Sequence, residues 1–168
     1  MLTLRGHLLA FVAGCSFISA PAYGDTIMGH PRVVDGDTLA FRGNDKTTYV
    51  RLTGIDAPEL NQKCDEEPLG EQAKKYLQDL VEGRSVACEW SREDRYGRAL
   101  GTCLVYGYLM NDVELNDAMV RSGYAFAYPL YSKKYVLLEQ RAHERDLPVH
   151  EHQCEKPWRW RTEHGPQH

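Results

Sequence analysis

Five side chains have types and positions that could do chemistry together. Gly43-Asn44-Asp45-Lys46 is a turn cluster. A hairpin centred near residue 45 sets residue 37 opposite roughly residue 53, so Asp37 and Asp56 fall at one end of it. Two carboxylates held close repel unless a cation lies with them, and such hard oxygen ligands suit Ca²⁺. Taken singly, each aspartate is a turn cap, because Asp35-Gly36 and Asp56-Ala57-Pro58 have turn chemistry. Glu59 follows Pro58, whose fixed φ limits the swing of the chain toward the same corner. Beside a bound phosphate, a carboxylate there could take a proton from attacking water; alone, it is a solvated glutamate. Arg51 interrupts the apolar segment Tyr49-Val50-Arg51-Leu52. A charge in such a strand pairs with an aspartate or grips a phosphate with two N–H donors. Strict alternation sets Arg51 and Asp56 on opposite faces, so a bulge or turn must re-aim one of them. Arg98 lies at a second turn, Asp94-Arg95-Tyr96-Gly97-Arg98, where an arginine is ordinarily solvated.

The elements that must hold these residues are short. Arg32–Val34, Thr38–Arg42 and Thr47–Ile55 read as strands, as do Ser85–Trp90 and Ala99–Tyr106 around the second turn. Leu69–Glu82 reads as a helix with Ala73, Leu77, Leu80 and Val81 on its apolar face and Gly83 beyond its end. A second helix is expected from about Asp112 to Ser122, and a third from a Ser132 cap to about Arg145, stopped by Pro148. Five strands with a helix between the third and fourth predict an α+β protein, a small closed OB-fold barrel with three helices. An open antiparallel sheet is the alternative.

Composition narrows the setting. The 168 residues begin with a segment of signal-peptide layout. Arg5 and His7 precede the apolar run Leu8–Ala20, and small residues follow to Gly24. Cleavage after Ala22 or Gly24 predicts an exported protein, secreted or periplasmic. Val12-Ala13-Gly14-Cys15 also resembles a lipobox, which would anchor the chain to a membrane through an acylated Cys15. Residues 25–150 then form one domain, and the polar tail 151–168 is expected to fray from about Glu151. The formal charge is −4, and −5 without the leader, which carries Arg5 and no acid. An acidic chain does not favour nucleic acid as a partner unless a local basic site and a cation supply the attraction. Cys64, Cys88, Cys103 and Cys154 remain, an even number suited to disulfides in an exported chain. They allow three pairings. Cys88 and Cys103 lie equally far from the second turn on neighbouring strands, so Cys88–Cys103 with Cys64–Cys154 is the expected set.

The joint order of these segments is more specific than any one of them. Val33-Val34-Asp35-Gly36-Asp37-Thr38, then Arg51-Leu52-Thr53-Gly54-Ile55-Asp56-Ala57-Pro58-Glu59, then Asp94-Arg95-Tyr96-Gly97-Arg98 closely resemble the staphylococcal nuclease family. The resemblance runs over about residues 30–147 and includes Met119-Val120-Arg121-Ser122-Gly123-Tyr124-Ala125, with Tyr128 and Tyr131 beyond. It implies an OB-fold nuclease acting on DNA or RNA with Ca²⁺ as cofactor. Asp37 and Asp56 match the carboxylate ligands, and Ala57 a ligand through its backbone carbonyl. Glu59 matches the general base, and Arg51 and Arg98 the two phosphate clamps. Tyr96 and Tyr128 match aromatic groups around the nucleotide. The chain departs from the family at Asp146-Leu147-Pro148, where relatives often carry Gly-Leu-Trp. Pro157-Trp158-Arg159-Trp160-Arg161 could pack on the barrel or bind nucleic acid. Two other functions compete: a non-catalytic OB-fold module binding nucleic acid or polysaccharide, and an accessory protein of the cell envelope. The presence of all five charged residues speaks against the first.

Overall fold

The computed structural model describes residues 24–107 and 112–165. The leader and Cys15 lie outside the described residues. In chain order the elements are β1 (Asp25–Gly29), β2 (Arg32–Asp35), β3 (Thr38–Arg42), β4 (Thr47–Leu52), β5 (Ile55–Asp56), α1 (Leu69–Val81) and β6 (Val86–Glu93). There follow β7 (Ala99–Val105), β8 (Val113–Glu114), α2 (Leu115–Arg121), β9 (Phe126–Ala127), α3 (Val136–His143), α4 (Pro148–Glu151) and α5 (Pro157–His164). No helix among the described residues is long and apolar enough to cross a membrane.

The main sheet runs β1-β6-β7-β4-β3-β2, with β8 on the far end of β7. All its pairings are antiparallel except β4–β7. Parallel neighbours need a long crossover, and the chain through α1 and β6 supplies it. Alternation in β7 is strict: Ala99, Gly101, Cys103 and Val105 are buried and the residues between are not. These side chains meet Leu39, Val50, Leu52, Leu77 and Met119 in one apolar core. A smaller cluster of Cys64, Leu69, Phe126, Val149 and Cys154 lies under Trp158.

The α+β class agrees with the sequence reading, but the described residues form nine strands and five helices where five and three were expected, with Thr47–Ile55 broken at Thr53-Gly54, and five further points differ. First, β1 and β2, the two ends of the ladder, do not pair with each other, so the closed barrel is not completed by hydrogen bonds among the described residues. The two strands are consecutive, joined by His30-Pro31, and Pro31 has no N–H to give a ladder. Second, the helix expected from Asp112 starts at Leu115, because Val113 and Glu114 pair with Val105 and Leu104. Third, Ser132 does not cap α3. Its Oγ accepts the Lys134 N–H at 3.2 Å in a local turn, and the helix spans only Val136–His143. Fourth, Pro148 does not stop that helix. The chain has already turned away at Asp146, at φ +47°, and Pro148 opens α4 at a position where no N–H is needed. Fifth, the described part of the tail, residues 151–165, does not fray: it forms α5 and packs on the domain.

Two disulfides join Cys88 to Cys103 and Cys64 to Cys154. Cys88 stands directly opposite Cys103 in the β6–β7 ladder, and the bulge between Trp90 and Glu93 lies on the turn side of them. The bridge closes a loop of 15 residues, worth on the order of 3 kcal/mol in the chain-entropy model. A Cys88→Ser, Cys103→Ser double variant should lose about that much in urea denaturation. A midpoint equal to the parent's would show that the bridge contributes nothing.

Candidate active site

The β3–β4 hairpin pairs Thr38 with Arg51, so Asp37 lies opposite Leu52, one residue from the expected register. The Leu52 N–H donates to the Asp37 carbonyl at 2.8 Å. Turn capping belongs to Asp35 instead, whose Oδ1 accepts the Asp37 N–H at 3.0 Å. That leaves the Asp37 carboxylate free to turn inward. It is buried, accepts the Thr38 hydroxyl at 3.2 Å and the Ala57 N–H at 2.8 Å, and pairs with Nη1 of Arg51.

The opposite parity of Arg51 and Asp56 is resolved by a turn. β4 ends at Leu52, and Gly54 takes φ +78°, so β5 leaves in a new direction and pairs with β9. Fully buried Asp56 is thereby aimed back at Arg51 and accepts from its Nη2. Asn116 of α2 holds this turn. Its Nδ2 donates to the carbonyls of Thr53 at 2.9 Å and Gly101 at 3.2 Å, and its Oδ1 accepts the Cys103 N–H at 3.2 Å. A Cβ at residue 54 would lie 2.7 Å from Cβ of Ser132 and 3.0 Å from the Tyr135 ring. Gly54→Ala should therefore lose about 2–4 kcal/mol of stability, from left-handed strain plus overpacking. Chemical denaturation measures it, and an unchanged midpoint would show that the turn adapts freely.

Glu59 stands on the segment between β5 and α1. Its N–H donates to Oε1 of buried Gln62 at 3.2 Å, and Gln62 donates onward to the Glu155 carbonyl at 2.7 Å. Gly70 lets the first turn of α1 lie against this segment, since a Cβ there would fall 1.9 Å from the Glu59 carbonyl oxygen. The Glu59 carboxylate meets Arg161 of α5. Nη1 of Arg161 donates to Glu59 Oε1 at 2.6 Å and to Asp56 Oδ1 at 3.1 Å, and its Nη2 donates to Asp56 Oδ2 at 2.7 Å. Three carboxylates are thus laced by two guanidiniums, and the second was not among the expected site residues.

Arg98 occupies another wall. Its Nε donates to Asp94 Oδ2 at 2.7 Å, and Asp94 Oδ1 accepts the N–H groups of Tyr96 and Arg98. A cleft of about 500 Å³ is lined by Arg51, Arg92, Arg95, Arg98 and Arg161 with Tyr96, Tyr128 and Tyr131. Glu93 and Asp94 also line it, so five guanidiniums and two carboxylates leave the lining at a formal charge of +3 in a chain that is acidic overall. Tyr96 is exposed, whereas Tyr128 is partly covered by Trp158, stacked on it at 4.8 Å. The structure therefore brings Arg51, Arg98, Tyr96 and Tyr128 to one cleft. Arg51 and Arg161 join that cleft to Asp37, Asp56 and Glu59.

Charge balance at this corner is uneven. Burial pushes the Asp37 carboxyl well above the ordinary carboxylate range; Arg51 opposes the shift, and Asp35 and Asp56 add to it. Burial disfavours the Arg51 cation, but Asp37 and Asp56 outweigh that and raise it further. Partial burial pushes Asp94 up, yet the hydrogen bonds from Arg98 and Tyr96 hold it below its ordinary value. Among the described residues no three His, Cys, Asp or Glu side chains gather about one point. The protein offers two buried carboxylates with the Ala57 N–H bonded to one of them, hard oxygen ligands of the kind a divalent cation takes with water or phosphate oxygens completing the shell.

Comparison with known proteins agrees with this geometry. Residues 49–148 match the model of the family described as Staphylococcal nuclease homologue. The chain is 34% identical over 155 residues to the Micrococcal nuclease of Shigella flexneri, covering 86% of this chain and 85% of that one. It is 32% identical over 163 residues to an Uncharacterized endonuclease of Escherichia coli O157:H7, covering 92% and 94%. Protein ParB of Escherichia coli is 32% identical over 155 residues, covering 87% of this chain and 85% of that one. With the match spanning most of the domain and the β3–β5 corner inside or beside it, this chain belongs to the staphylococcal nuclease family.

Proposed function

We infer that this protein is a Ca²⁺-dependent nuclease, exported from the cytoplasm, that hydrolyses phosphodiester bonds of DNA, RNA or both. The observation that carries the reading is Arg51 joining buried Asp37 to buried Asp56 at the edge of an arginine-lined cleft. The family's nuclease relatives support it.

Phosphodiester hydrolysis builds negative charge on the nonbridging and leaving oxygens, and preformed cationic donors lower that barrier. Arg51 and Arg98, on two walls of one cleft, grip the phosphate from two directions. Asp37, Asp56 and the Ala57 backbone hold the cation. When bound, it supplies charge at the phosphate and makes water a better nucleophile. Glu59 takes the proton of the attacking water. Tyr96 and Tyr128 flank the nucleotide. Two disulfides support an oxidising compartment, hence export, by plain cleavage of the leader or with an anchor at Cys15.

The test is cleavage of single- and double-stranded DNA and of RNA by the purified protein, with Ca²⁺ and with excess chelator. Cleavage that stops with chelator and returns with Ca²⁺ is expected. Undiminished cleavage in chelator would remove the metal from the mechanism. Binding without cleavage of any substrate would leave a non-catalytic module.

A further inference from the structure

The carboxylate that would hold the cation is already crowded by positive charge. Asp56 is 0% exposed on its side chain, and both its oxygens accept from guanidiniums: Oδ1 from Arg51 and Arg161, Oδ2 from Arg161. Oδ2 keeps one acceptor site, but a dication seated there would lie against the Arg161 guanidinium, two positive groups on one small acceptor. One guanidinium must leave. Arg51 is fixed in β4, with a ladder on each side and Asp37 as second partner. Arg161 is held differently. It comes from α5, an eight-residue helix that pairs with no strand. Its side chain is 25% exposed and lines the cleft, so it has somewhere to go.

We propose that Arg161 is a positioning residue of this site: it serves as an internal counter-cation for Asp56 and Glu59, and Ca²⁺ binds by exchanging with it at Asp56. The proposal rests on the metal-dependent reading above. The exchange frees Glu59 of its ion pair at the moment the cation arrives, so the base is uncovered only when the metal is present. It also releases the Arg161 guanidinium from its carboxylates within a cleft that takes up a polyanion. The anchor of α5 fits this role. Cys154 is bonded to Cys64, Gln62 ties Glu59 to the Glu155 carbonyl, and Trp158 stacks on Tyr128. The helix stays while its arginine side chain moves.

The measurement is calorimetric titration of Ca²⁺ into the oxidised, leaderless protein without nucleic acid. Arg161→Gln should bind Ca²⁺ about tenfold or more tightly than the parent, since a charge-assisted competitor is gone. Arg161→Lys, which keeps the charge but not the fork, should fall between them, and it serves should the glutamine variant fail to fold. An arginine that merely supported the structure would change affinity the other way. Unchanged or weaker Ca²⁺ binding in Arg161→Gln, with binding abolished in Asp56→Asn, would overturn the exchange and leave the metal site standing. Parent-like binding in Asp56→Asn would overturn both.

Discussion

Arg51→Lys should cut turnover of a nucleic-acid substrate by about 10²–10³-fold, the cost of removing one preorganised donor from a developing oxyanion. Lysine keeps the charge but can present only a point, whereas Arg51 reaches Asp37 with one nitrogen and Asp56 with the other. Arg51→Ala should go further and unsettle the fold. It leaves two buried carboxylates without their shared cation, a loss of about 3–5 kcal/mol when one partner of a buried pair is removed. Ca²⁺ should restore part of that stability, and stabilise this variant more than the parent, because Asp37 then has no guanidinium and Asp56 keeps only Arg161. Arg98→Lys is the contrast. Its partner Asp94 is four residues away and its side chain is 31% exposed, so activity should fall while stability moves by less than about 1 kcal/mol. Activity assays and denaturation with and without Ca²⁺ decide the matter. Near-normal turnover in Arg51→Lys would show that the guanidinium does not meet the phosphate.

Asp37→Asn should separate activity from stability. The substitution keeps shape and leaves an oxygen to accept the Ala57 N–H, which Asp37 now takes at 2.8 Å. It removes one of the two anions proposed to hold the cation, so hydrolysis should drop by about 10²-fold or more. Metal-free stability should change less than activity, by up to about 3 kcal/mol, because the amide nitrogen then faces Nη1 of Arg51 and the Thr38 hydroxyl where Oδ1 accepted both. Burial, the strongest influence on Asp37, favours its neutral form, and Asp35 and Asp56 add to that preference while Arg51 and the Ala57 N–H oppose it. Full activity in Asp37→Asn would remove it from the metal site, and a melting temperature far below the parent's would show that its charge is structural.

What the sequence made legible was local. Asp37, Arg51, Asp56, Glu59 and Arg98 sit in short segments whose turn residues and strand pattern can be read directly, and the structure gathers all five about the cleft and the corner joined to it. The direction in which Gly54 sends the chain could not be read, only that some device was needed between residues 51 and 56. Arg161 was hidden for a different reason. Its partners Asp56 and Glu59 are more than a hundred residues away, and nothing in an alternation of tryptophan and arginine says which carboxylate one of them meets. Ser132 misled because a serine that closes a turn and one that caps a helix use the same oxygen. The two-residue strands β5, β8 and β9 are too short to carry a period.

The Cys64–Cys154 bond and the β1–β6 ladder have a consequence for the order in which the protein comes together. β6 and β7 with Cys88–Cys103 form a local hairpin, quick to close. β1 must wait for residues some sixty positions later, Ile27 for Cys88, and Cys154 lies 90 positions beyond Cys64. Non-local closures come late, because chain entropy is lost before they repay it. A chain delivered from its N-terminus therefore gains its scaffold first and α5 last. Arg161 reaches Asp56 and Glu59 only in a finished, oxidised molecule, so maturation of the catalytic corner reports the completion of folding.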